Sequence, residues 1–133
     1  MLITKRFRCT ALVAMVALVS AAHAAPPAQL LADYGIQAGA AAAPERGQTL
    51  FTTRQGGQWS CASCHGAVPT QPGRHAATGK AIGPLAPAFN PQRFTDPAKV
   101  EKWFRRNCKD VMSRECTAAE KADILSWLLG LKP

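Results

Sequence analysis

The chain has 133 residues, 47% of them hydrophobic and 18% charged, with a formal net charge of +8. That length holds one small domain with a modest core and excludes a multi-domain machine. Beyond the first eight residues, and apart from Arg105-Arg106, the basic residues are scattered, and no basic–aromatic array suited to nucleic acid is present.

Lys5, Arg6 and Arg8 form a basic start, Ala11 to Val19 an apolar stretch, and Ala22-His23-Ala24 a small-x-small cleavage pattern. Together they predict a secretory signal over residues 1–24, removed after Ala24, and a single domain over 25–133. The apolar stretch is too short for a comfortable membrane span, so an uncleaved anchor is the weaker alternative. The remaining part carries thirteen Lys and Arg against eight acids, a formal charge of +5. A mild positive face of this kind suits transient docking to an acidic redox partner, or is simply a solvated surface.

Pro27 to about Ile36 reads as a short helix with Leu30, Leu31 and Tyr34 on one side. Gly39 to Ala43 is a small-residue linker. A second helix starts at Pro44, with proline in the first turn and Glu45 at the positive end. Gly47 and Phe51 are four apart and share a face, where glycine permits close approach by another helix.

Cys61-Ala62-Ser63-Cys64-His65 follows. C-x-x-C-H is the attachment signature of a c-type haem. Each thiol forms a thioether to a haem vinyl group, and the histidine that follows supplies the proximal imidazole to iron. A zinc site would need Cys108 and Cys116, whose spacing is unlike a zinc ribbon. A thioredoxin-like dithiol needs a βαβ context, and nothing here alternates as a strand. Covalent haem is attached outside the bacterial inner membrane, so the export signal and the motif agree on a periplasmic, soluble protein.

Residues 66–95 contain nine glycines and prolines, a density that predicts no long regular element but a loop around the haem. Asp96-Pro97 starts a third helix, Asp96 as N-cap, with Val100, Trp103, Phe104 and Asn107 at helical spacing. Cys108 and Cys116 are the cysteines left over, and in an oxidising compartment they should pair; two free buried thiols are the alternative. Thr117 to Glu120 is a capping box for a last helix, with Ile124, Trp127, Leu128 and Leu131 as its apolar stripe and Gly130 placed to end it.

This order of elements resembles the all-α class I cytochrome c fold, wrapped around one covalent haem c. Gly47 and Phe51 match that family's first helix, whose glycine lets the last helix cross. Gly83-Pro84-Leu85 resembles its Gly-Pro-x-Leu segment, which implies that the Pro84 carbonyl accepts the His65 Nδ1–H and increases the basicity of the ring. On that resemblance alone, Met112 would be the sixth ligand of a high-potential electron carrier. His75 would instead give a bis-histidine site.

A closer resemblance is to the sphaeroides haem protein family of monohaem cytochromes c. It rests on Pro27-Ala28-Gln29-Leu30, Glu45-Arg46-Gly47, Thr78-Gly79-Lys80, Pro84-Leu85-Ala86-Pro87, Arg93-Phe94-Thr95-Asp96, Val100-Glu101-Lys102-Trp103, Arg106-Asn107-Cys108, Cys116-Thr117, Glu120-Lys121-Ala122-Asp123 and Trp127-Leu128. The resemblance implies that Asn107 ligates ferric iron and swings away on reduction, freeing the site for oxygen or nitric oxide. It implies a Cys108–Cys116 disulfide, with Met112 an apolar residue inside the loop. It also implies electron supply from a dihaem cytochrome c and a membrane b-type cytochrome. An oxidase-like or nitric-oxide-handling activity and plain electron transfer both remain open at this point.

Overall fold

The computed structural model describes residues 26–133, so the signal over 1–24 lies outside the described residues. Five helices carry the fold: α1 Pro27–Ala38, α2 Pro44–Thr52, α3 Ala62–His65, α4 Pro97–Met112 and α5 Ala118–Gly130. Each start is written locally. Proline opens α1, α2 and α4, where a missing N–H costs nothing. The Asp96 side chain accepts from Lys99 N, and Thr117 and Glu120 form the reciprocal capping box of α5.

Two local expectations are corrected, and a third, the loop without a long regular element, holds with one addition. The first helix runs to Ala38 and stops at Gly39, which takes the left-handed conformation (φ 64°). Gly130 does not end α5; it is the last helical residue, and extended Leu131 follows. The Gly- and Pro-rich stretch contains a two-stranded antiparallel hairpin, β1 Gly73–Arg74 and β2 Ala81–Ile82, with Gly73 opposite Ile82. Two residues per strand are too few to leave an alternating pattern in the sequence.

α2 and α5 cross in close contact. A Cβ on Gly47 would overlap the Asp123 carbonyl, so only glycine allows this approach. Asp123 is buried there, taking the Arg46 guanidinium with both carboxylate oxygens (2.8 and 2.9 Å) and Ala43 N at 2.6 Å. One core cluster joins Leu30 and Tyr34 of α1 to Val100 of α4 and Ala122 and Leu125 of α5. The other is Phe51, Ile124, Trp127 and Leu128, with half-buried Cys61, Ala62, Leu85, Phe94 and Phe104 against it. The Cys61–His65 turn therefore sits on the second cluster.

Candidate functional site

Ser60 and Ser63 shape the entry to α3. Ser60 N donates to Ser63 Oγ (3.0 Å), and Cys64 N and His65 N both donate to Cys61 O (3.2 and 3.1 Å). Within this single turn, positions 61, 64 and 65 fall on one side. Gly66 (φ 80°) ends the turn in a conformation that costs only glycine nothing, its N–H on Ala62 O at 2.9 Å. β1 lies directly on this turn: a Cβ at Gly73 would overlap the Cys64 carbonyl.

Cys61 and Cys64 are free thiols, both half-buried. Burial pushes the Cys61 thiol up to about 11, its own backbone hydrogen bond opposing and Cys64 adding. Cys64 Sγ faces Ala76 N at 3.2 Å. The His65 imidazole is held down to about 4, first by burial and then by the Arg93 charge. It is neutral at physiological pH and keeps a lone pair for a metal. The Phe51 ring stands 6.1 Å from it and 5.1 Å from Trp127.

The Pro84 carbonyl is engaged differently from the class I expectation. It accepts Arg93 Nε at 2.9 Å and Asn90 Nδ2 at 3.2 Å, while Arg93 Nη2 reaches Gly83 O at 2.9 Å. The partners come from a chain segment that folds back six and nine residues later, which no local motif announces.

The three distal candidates are placed unequally. His75 sits half-buried in the turn between β1 and β2, where its Nδ1 accepts from Ala77 N and Thr78 N, both at 3.3 Å. Met112 closes α4 with its Sδ 3.6 Å from Cys116 Sγ, a sulfur–sulfur contact, since a half-cystine has no proton to donate. Asn107 is exposed, four residues beyond Trp103, itself 43% exposed with Arg106 stacked 5.8 Å from its ring. Cys108 beside it is buried in a disulfide to Cys116. A Cβ on Gly57, four residues before Cys61, would lie 2.9 Å from Val111 O, so α4 abuts the approach to α3 one turn beyond Asn107.

The disulfide consumes the thiols that a zinc site would need, and among the described residues no three His, Cys, Asp or Glu side chains cluster as a metal site. Two free thiols, a neutral imidazole and an apolar wall of Leu85, Phe94 and Phe104 are instead the donor set and surroundings that a covalent haem requires. Among the described residues no helix is long and apolar enough to cross a membrane.

Comparison with known proteins agrees. A family model described as a domain of unknown function, DUF1924, matches residues 37–128. Cytochrome c-type protein SHP of Cereibacter sphaeroides is 55% identical over 106 residues, covering 77% of this chain and 81% of that protein. The structure of oxidized SHP, described as an oxygen binding cytochrome c, superposes with TM-score 0.75 at 53% identity, covering 79% of this chain and 96% of that one. Oxidized cytochrome c'' from Methylophilus methylotrophus gives TM-score 0.72 at 34% identity, covering 81% and 96%. A solution structure of cytochrome c'', presented as insight into haem-ligand detachment, gives 0.72 at 32% identity over 80% and 94%.

Proposed function

The chain belongs to the DUF1924 family and is an SHP-type monohaem cytochrome c, and on that premise we propose that Asn107 is a sixth ligand released on reduction, opening the site to a diatomic gas. Cys61 and Cys64 hold the haem by thioethers, and His65 is the proximal ligand. When bound, the haem supplies a redox-active iron whose potential follows its axial ligands.

The observation that carries the reading is the contrast between Asn107 and Met112. The Met112 thioether is packed against the disulfide, whereas the Asn107 amide is exposed on α4. An amide oxygen is a neutral, hard and weak donor, better matched to ferric than to ferrous iron. Reduction therefore loosens Asn107. Its neighbour Cys108 is pinned to Cys116 at the foot of α5, so the side chain turns about its own bonds while α4 stays in place. The open position takes oxygen or nitric oxide; a solved relative is described as oxygen binding. In this reading the protein works in the periplasm after signal removal. It draws electrons from a dihaem cytochrome c and a membrane b-type cytochrome.

Two substitutions test it. Asn107→Ala leaves the ferric site open or water-bound and speeds ferric ligand binding. Met112→Ala leaves the ferric spectrum nearly unchanged. The opposite pattern, with Met112→Ala abolishing a low-spin reduced spectrum and Asn107→Ala silent, identifies an ordinary methionine-ligated electron carrier.

A further inference from the structure

We propose that the outward face of α4 is the docking surface for the electron donor: Lys99, Lys102 and Arg106 form a basic stripe beside Trp103 that fits an acidic redox protein. This rests on the reading above that the chain takes electrons from another redox protein, and it specifies where that protein lands.

The stripe is scattered along the sequence and gathered by the helix. Residues 99, 102 and 106 are spaced by three and four, so they line one side of α4. All three are exposed. The opposite side is the packed one: Val100 and Cys108 are buried, and Phe104 lies against both core clusters. Around the helix, Trp103 stands between the stripe and Asn107. Trp103 and Asn107 are four apart and share an edge, so the stripe borders the candidate distal position. Trp103 is 43% exposed, with the Arg106 guanidinium 5.8 Å from its ring centre. An exposed tryptophan beside an arginine is the composition of an interface anchor, not of a merely solvated face.

The charge balance says what the stripe attracts. All eight acids of the chain lie within the described residues. Glu101, Glu115, Glu120 and Asp123 are in ion pairs with Lys121, Lys109, Arg114 and Arg46, none of them in the stripe. Asp96 caps the start of α4. Asp33 and Glu45 belong to α1 and α2. Asp110, one turn beyond Arg106, forms no ion pair with it among the described residues. The stripe therefore keeps its positive charge. A partner with carboxylates around an exposed cofactor is steered to it and finds an apolar centre at Trp103. Once docked, the partner gives up one electron and is oxidised, ferric iron is reduced, and no bond forms between the two proteins.

The test mixes ferric holoprotein with flavodoxin hydroquinone, an acidic one-electron donor, in a stopped-flow instrument. The wild-type rate falls steeply as ionic strength rises. Lys102→Glu with Arg106→Glu slows reduction about tenfold or more at low salt and flattens the salt dependence. Arg54→Glu with Lys80→Glu makes the same change in net charge away from α4 and loses no more than about threefold. Free flavin semiquinone, a small neutral donor, reduces all three proteins alike. Two charge pairs slowed to within about twofold of each other overturn the proposal. So does a slowing with free flavin equal to that with flavodoxin, which places the effect at the haem. Sedimentation with phosphatidylglycerol vesicles that depends on the stripe, without an effect on flavodoxin rates, makes the face a membrane contact and also overturns it. If the α4 double variant does not mature with haem, Lys99→Gln with Lys102→Gln decides by the same rates, with a loss of about threefold against none for Arg54→Gln with Lys80→Gln. The two readings fail differently. Reduction without α4 dependence overturns the surface alone. A wild type that free flavin reduces and flavodoxin does not, at any salt, overturns the electron-supply reading and the surface together.

Discussion

Asp123 is the one buried acid in the last helix, and its neighbours set what its loss costs. Asp123→Ala orphans the Ala43 N–H and releases Arg46, whose side chain is 62% exposed and therefore rehydrates. The cost is that of one half-buried unsatisfied donor, toward the low end of about 1–3 kcal/mol, rather than that of stranding a buried charge. Urea unfolding should show it as a lower midpoint at unchanged slope. At this scale the C-x-x-C-H residues were legible because covalent attachment dictates their spacing. The partner of Pro84 O was not, because Asn90 and Arg93 reach it only through a fold-back. Asp123 carried a faint signal, an acid set inside an apolar stripe.

The α2–α5 crossing depends on the absence of one side chain. Gly47→Ala puts a Cβ into the Asp123 carbonyl. Backbone cannot move aside as a side chain does, so we expect a loss at or above about 3 kcal/mol, the upper end for overpacking. Circular dichroism melts would report it. The loop closed by Cys108 and Cys116 joins α4 to α5. Replacing both cysteines by serine should cost about 2–3 kcal/mol through the entropy of so short a loop. Peptide mapping of the oxidised wild type should recover one crosslinked fragment. Helix starts were legible, since Asp96 and Thr117 cap with their own side chains. The hairpin and the end of α5 were not: they depend on packing against α3 and the second cluster, which a local pattern does not encode.

Across the molecule, α1, α4 and α5 are tied at Glu101, which accepts Tyr34 OH at 2.5 Å and Lys121 Nζ at 2.7 Å. Burial pushes the Glu101 carboxyl up, but the Lys121 and Tyr34 hydrogen bonds outweigh it and hold it below its ordinary value. The Arg114 fork on Glu120 holds that carboxyl down too. Depressed carboxyls contribute stability above their unfolded value of 4.5 and lose it as pH falls through the folded value. The contribution of these two carboxyls to the melting temperature should therefore be constant from neutrality to about pH 5 and be lost below it. A Glu101→Gln, Glu120→Gln double variant should be less stable at neutrality and flatter in acid.

The most direct measurement of the central claim is the optical spectrum of the reduced holoprotein with and without carbon monoxide. Release of Asn107 predicts a high-spin reduced spectrum that carbon monoxide converts promptly to a low-spin one. A sharp low-spin reduced spectrum that carbon monoxide leaves unchanged would mean that a protein ligand stays on ferrous iron, and the gas-binding account would be contradicted.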